Sequence, residues 1–287
     1  MTSPIDSMLS NSLTDGLSKL EKYLNADVIV YYGEIPDSVD AQMKVLVEEL
    51  QSALETEKHN KCFIILTTPG GSIYPVDRMV TILRHFYDEV NFIIPNCAYS
   101  AGTIFCMSGD NIYMNYYSAL GPIDPQVQNK DGKLVAAIGY LDKVNELLEK
   151  AQKNTISQAE FLILKDFDLA ELRAYEQAKA LAEDLIVKWL SKYKFKDWTH
   201  HSNGNVVTQE EKDKRALEIA QMLSNNNGWK SHGRAITTND LRDMQLKIED
   251  YGENDEMRTL IDDYYGILKD YIAKYGIPVF IQTRRSI

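Results

Sequence analysis

The sequence predicts an α/β fold, on three observations. Short runs of β-branched and aliphatic residues recur as far as residue 114. Each run is followed by a segment with helical spacing, and two of the runs end in turns built from Gly, Ser and Ala. Strands alternating with helices imply βα units around a largely parallel sheet. Residues 1–20 are polar and Ser-rich and are expected to form an N-terminal arm with little fixed structure. The first strand is 28–32 (VIVYY), and Met43, Leu46, Val47, Leu50 and Leu54 then recur at helical spacing. A second strand, 62–67 (CFIILT), runs into Pro69-Gly70-Gly71-Ser72. Val76, Met79, Val80, Leu83, Phe86 and Tyr87 mark the next amphipathic helix. A third strand, 91–95 (NFIIP), leads to Tyr99-Ser100-Ala101-Gly102-Thr103 and a short helix, and 111–114 (NIYM) is a short strand.

From residue 118 the character changes. The stretch 118–126 (SALGPIDPQ) is a turn-rich loop with two prolines, and 129–132 is a polar turn. Leu141, Val144, Leu147, Leu148 and Ala151 begin a helical region, a long helix follows over 168–194, and 196–207 is a polar loop. Thr208 with Glu211 fits a capping box opening a further helix through Met222. A short helix is expected within 237–245 and a charged one over 255–274; Gly276-Ile277-Pro278 ends it, and 279–282 is extended. These elements read as one domain over 21–287, with a core at 28–126 and 230–250, a helical insertion at 127–229 and a helical C-terminal region at 251–287.

Composition narrows the function classes. The chain has 287 residues and a net charge of −11, which argues against nucleic acid as the main partner, because a phosphate-binding surface needs clustered Lys and Arg. The three cysteines, Cys62, Cys97 and Cys106, lie in apolar segments and read as reduced thiols of a cytoplasmic protein. The N-terminus has no basic, then apolar, leader pattern, and no run of about 18 apolar residues suggests a membrane span. No Walker phosphate loop is present, so no ATPase activity of its own is expected.

The two glycine- and serine-bearing turns carry the chemistry. A serine where a strand turns into a helix projects its hydroxyl outward, beside backbone N–H groups that have no helical partner and the positive end of the helix dipole. A nearby Gly-Gly lets a second backbone N–H approach with no side chain in the way. Ser100 is thus a candidate nucleophile, although Ser is also a common helix N-cap. Gly71, or Gly70, together with Ala101 would supply an oxyanion hole.

In their order and spacing, Thr68-Pro-Gly-Gly-Ser72, Ser100-Ala-Gly102 and Leu120-Gly-Pro-Ile-Asp-Pro-Gln126 resemble the Clp-protease/crotonase superfamily, and within it the serine dehydrogenase proteinase family. Signal peptide peptidase A and the NfeD-type proteases share this motif order. Residues 28–36 (VIVYYGEIP) are similar to the first strand of the Clp proteolytic subunit. Gly233-Arg234-Ala-Ile-Thr237, followed by Leu241 and Leu246, resembles a hairpin near the end of that core, with Gln245 where Gly is usual. The resemblance implies a spiral of ββα repeats and a homo-oligomer, a trimer, hexamer or ring. By position it makes Ser100 the nucleophile.

The base departs from the Clp pattern. Its His would fall in 120–125, which contains none, and its Asp would fall at Gly233. A serine alone is a poor nucleophile. The lysine-dependent relatives place their base at the start of the helix beyond the loop, where Lys143 stands beside Leu141, Val144 and Leu147; partial burial there would favour the neutral amine. Lys130, Lys133 and Lys150 are rivals. Of the five histidines, His232, next to Gly233-Arg234, is the alternative base. His59 and His85 read as structural or solvated, His200-His201 is a weak metal pattern, Asp124 is first of all a turn former, and Asp110 is expected to cap or end the Ser100 helix.

The expectation is a cytoplasmic serine peptidase acting on peptide or protein substrates through an acyl-enzyme, with a Ser-Lys dyad and no metal or organic cofactor. Two other readings stand beside it: a crotonase-type enzyme stabilising an acyl-CoA enolate in the same hole, and a degenerate, non-catalytic scaffold.

Overall fold

The computed structural model describes residues 4–52, 59–124, 126–128, 132, 134–231 and 233–286. Along the chain the elements are α1 (Pro4–Leu24), β1 (Asp27–Gly33), α2 (Val39–Gln51), β2 (Lys61–Thr67), α3 (Tyr74–Phe86), β3 (Glu89–Ile93), β4 (Cys97–Ala98), α4 (Ala101–Cys106), β5 (Asn111–Met114) and β6 (Ala119–Leu120). A hairpin of β7 (Gln126–Gln128) and β8 (Leu134–Ala136) precedes α5 (Ala137–Gln152), α6 (Gln158–Lys165) and α7 (Leu169–Trp189), which continues into a π-helical turn, Leu190–Lys194. Then come α8 (Gln209–Leu223), α9 (Asn226–Trp229), α10 (Thr238–Asp243), β9 (Glu249–Asp250), α11 (Asp255–Tyr275) and β10 (Val279–Gln282).

The main sheet has the order β10-β1-β2-β3-β5-β9, parallel throughout except that β10 runs antiparallel to β1. Its central strands are apolar on both faces because both faces are covered, as parallel sheets require. Alternation sorts the residues: Val28 and Val30 face a layer made by α1 and α11, while Ile29 and Tyr31 face the larger core built with α2, α3, α4, α7 and α8. The insertion shares that larger core through Leu185, Ile186 and Trp189 of α7 and Ala216, Ile219 and Leu223 of α8. Thr208 and Glu211 form the expected capping box.

Two readings are corrected, and a third gains a partner. The stretch 1–20 is no polar arm over its described part: Leu13, Leu17, Leu20 and Leu24 fall on one face of α1 and pack against Ile261, Tyr264 and Leu268 of α11. The serine-rich composition hides that stripe: Ser7 and Ser18 are exposed, while Ser10 and Ser12 are half-buried. The stretch 279–282, read as extended after the last helix, is β10 and adds a strand to the sheet, and the following Arg284 pairs with the wholly buried Asp27 at the start of β1. Tyr87 Oη also donates to that carboxylate, at 2.8 Å, so no charge there is left unpaired. Asp110 does not cap α4. It is buried, binds Arg84 at 2.7 Å and Lys196 at 2.6 Å, and accepts from Val90 N–H, which joins α3, β3 and the segment after α7.

The docking of α1 can be measured. Leu17 is wholly buried, so Leu17→Ala should cost about 2–4 kcal/mol in urea unfolding, against less than about 0.5 kcal/mol for an exposed polar site on the same helix such as Lys19. An unchanged midpoint for Leu17→Ala would mean that α1 does not hold this position.

Candidate active site

Beyond Thr67 the chain of β2 leaves the main sheet and joins a short second ladder. Thr68 N–H donates to Cys97 O and Tyr99 N–H to Thr68 O; β4 then pairs with β6, and Leu120 exchanges both backbone bonds with Ile236. The TPGGS, SAG, LGPID and GRAIT segments, far apart in sequence, are thereby side by side.

Ser100 occupies the turn between β4 and α4 with φ +52° and ψ −116°, a conformation that costs a non-glycine residue about 1–3 kcal/mol. It precedes the helix yet does not cap it: its hydroxyl makes no capping bond and has no hydrogen-bond partner among the described residues. The α4 helix is held instead by Thr103, whose hydroxyl donates to Ala98 O at 2.8 Å and accepts from Gly121 N–H at 3.1 Å. Gly102 is required because a Cβ there would run into the Thr68 side chain, and Gly121 because one would lie 2.6 Å from the Tyr99 ring.

The Gly-Gly turn lies directly against the serine. At Gly70, φ is +104°, and a Cβ would sit 2.8 Å from both Ser100 Cβ and Tyr99 O and 3.5 Å from Ala101 N. Gly70 N–H is occupied by Thr68 Oγ1 at 3.0 Å. Gly71 is clasped by Ile35, whose N–H donates to Gly70 O and whose carbonyl accepts from Ser72 N–H. Neither Gly71 N–H nor Ala101 N–H has an acceptor among the described residues. Two free donors therefore flank the serine turn, and of the two glycines the sequence left open, Gly71 is the one whose N–H is available.

The base candidates are placed less favourably. Lys143 is on α5, as expected, but its side chain is 56% exposed and paired with Glu146 at 2.8 Å, so the partial burial anticipated for it is absent. Lys150 is held at about 12 by hydrogen bonds to Glu160 and Glu146, which keeps it protonated. Lys130, Lys133 and His232 lie outside the described residues. Asp124 is buried and accepts from Ile138 N–H at 2.9 Å in the first turn of α5; it anchors that helix to the loop after Gly121, a role beyond the turn formation read from the sequence. Burial raises the thiol pKa of Cys62, Cys97 and Cys106, so none is poised as a thiolate near neutrality. His85 is exposed and stacked edge-on against Phe86; His201 pairs with Glu211. No cluster able to hold a metal occurs among the described residues.

The sequence model of the ClpP-like SDH-type serine proteinases matches residues 44–200. An uncharacterised protein of Methanocaldococcus jannaschii is 30% identical over 156 residues, covering 51% of this chain and 53% of the relative. A second from the same organism is 29% identical over 126 residues, covering 41% and 43%. The chain thus spans about half the length of the curated relatives it matches. Among solved structures, a point mutant of 1510-N, a membrane-bound stomatin-specific protease, is 17% identical, with a TM-score of 0.33, covering 58% of this chain and 75% of the other. No helix among the described residues is long and apolar enough to cross a membrane.

The local architecture is tested by a pair of glycine replacements. Gly70→Ala forces a Cβ into Tyr99 O and the Ser100 side chain at positive φ and should cost at least about 2 kcal/mol in thermal or urea unfolding. Gly139→Ala in α5 meets nothing within 4 Å and should be neutral or up to about 1 kcal/mol stabilising. Equal effects would sink the close approach described at Gly70.

Proposed function

Because the chain belongs to the ClpP-like SDH-type serine proteinase family, we propose that it is a serine peptidase whose nucleophile is Ser100 and whose oxyanion hole is formed by the N–H groups of Gly71 and Ala101. The observation that carries this reading is the turn itself: a strained serine with a free hydroxyl, pressed by a Gly-Gly backbone and flanked by two donors that nothing else uses among the described residues. Ser100 Oγ attacks the scissile carbonyl, the two N–H groups hold the resulting oxyanion, and collapse expels the amine to leave an acyl-enzyme that water hydrolyses. Fixed donors in such a hole are each worth on the order of 3 kcal/mol of barrier.

The proton acceptor in this reading is a lysine, with Lys143 the residue assigned. Its amine is exposed and paired with Glu146, so service as a base requires that pair to open and the amine to reach Ser100 through movement of α5. The substrates are peptides or proteins. Assembly of several copies, which the family resemblance implies, is supported by α6, which buries no residue and leaves Phe161, Leu162 and Ile163 exposed.

A fluorophosphonate probe, which labels activated serines, decides the matter. Wild type should be labelled and Ser100→Ala should not; equal labelling of both, or no labelling of folded wild type, would overturn the nucleophile. Lys143→Ala should slow labelling at least about 100-fold. Undiminished labelling would remove Lys143 while leaving Ser100 in place.

A further inference from the structure

The end of the main sheet opposite the Ser100 turn carries a second site. Gly70 and Ser100 follow the carboxyl ends of β2 and β4, whereas Glu89, Asn111 and Lys247 lie at or just before the starts of β3, β5 and β9. Over these strand starts, the π-helical turn Leu190–Lys194 and the segment after it enclose a half-open cavity of about 560 Å³. A π-helical turn is rare and is commonly found at functional positions.

Lys194, the last residue of that turn, lines the cavity. Its Nζ is shielded from solvent and has no hydrogen-bond partner among the described residues. The other cations in the wall are already satisfied: Lys196 by Asp110 at 2.6 Å, Lys247 by Glu249 at 2.5 Å, and Arg215 by Glu218 at 2.8 Å. Glu249 and Asp110 are the carboxylates that act on Lys194 through space, and each is committed to one of those cations. Burial lowers the Lys194 pKa to about 8, as expected of an ammonium with no counter-ion of its own. An orphaned buried donor of this kind is rare in a folded protein and costs stability. Phe195 and Trp198, edge to face with centroids 5.8 Å apart, give the same cavity an aromatic, apolar corner. Tyr193 is not available for this, since the Arg84 guanidinium covers its ring at 3.7 Å. Gln245, held at φ +59°, completes the rim.

We propose that this cavity binds a small organic carboxylate with a flat apolar body, its carboxylate taken by Lys194 Nζ and its body lying against Phe195 and Trp198. The carboxylate supplies the missing partner of the ammonium, and the aromatic wall excludes water from the pair, which strengthens it. The site is independent of the Ser100 chemistry and stands or falls separately from it.

Benzoate and its neutral isostere benzamide, titrated calorimetrically into the full chain, test the proposal. Benzoate should bind saturably and at least about tenfold more tightly than benzamide. Lys194→Met, which keeps the side-chain length without the charge, should bind the two alike. In the absence of ligand it should also melt about 2–4 °C above wild type, because it removes an uncompensated buried charge. Wild type that binds benzoate no better than benzamide, or not at all, overturns the site. So does a Lys194→Met or Lys194→Gln protein that keeps the benzoate preference.

Discussion

The contact on which the site depends is backbone against backbone: the Gly70-Gly71 turn pressed onto the turn at Ser100. No side chain separates them, because a Cβ at Gly70 would overlap Ser100 and Tyr99 O. That approach exists because the chain of β2 abandons the main sheet after Thr67 and pairs with β4 instead, through bonds to Cys97 and Tyr99. The side chains nearby serve the same end. Thr68 absorbs the Gly70 N–H, Thr103 ties α4 to Gly121, and Gly102 lets α4 settle on Thr68. Each removes a donor or a clash that would otherwise pull the two turns apart, and together they support the strained backbone at Ser100.

Much of this was legible in the amino-acid order, for a physical reason. Turns that need positive φ or close approach favour glycine, so Gly70, Gly71, Gly102 and Gly121 announce their own places. The buried parallel strands announce theirs as continuous apolar runs. Gln245 is instructive in the other direction. It stands where glycine is usual in the hairpin that the sequence resembles, and it takes a left-handed conformation, φ +59°, with no glycine to mark it.

What the sequence concealed has a common cause: roles set by partners distant in the chain. The α1 stripe of Leu13, Leu17, Leu20 and Leu24 was masked by a serine-rich composition, and only α11, packed from the other end of the chain, makes it a core face. Asp110 read as a local helix cap, but Arg84 and Lys196 turn it into a junction between segments. Lys194 gave no signal at all. Its spacing is that of an ordinary helix end, and only the tertiary fold shows it to be enclosed with no carboxylate of its own. Whether Ser100 caps its helix or stands free was likewise undecidable from the residue type, and the backbone angle together with the absent capping bond separates the two.

The proton acceptor is the element least determined by local structure, and the reason is electrostatic. A serine turn and two N–H groups can be built from nearby backbone, whereas a lysine base must lose its counter-ions and its water before it can accept a proton. Lys143 and Lys150 share Glu146 on the surface of α5, and for Lys150 the hydrogen bonds to Glu160 and Glu146 favour the protonated amine. That helix is not free to move alone, however. Its first turn is bound through Ile138 N–H to the buried Asp124, which follows directly on the Gly121 segment that Thr103 fastens to α4. A displacement of α5 that carried a lysine inward would either take Asp124 with it or strip a buried carboxylate of a hydrogen bond. The serine turn and the start of α5 are therefore linked through Asp124 and Gly121, and a displacement at the start of α5 is passed toward the backbone at Ser100.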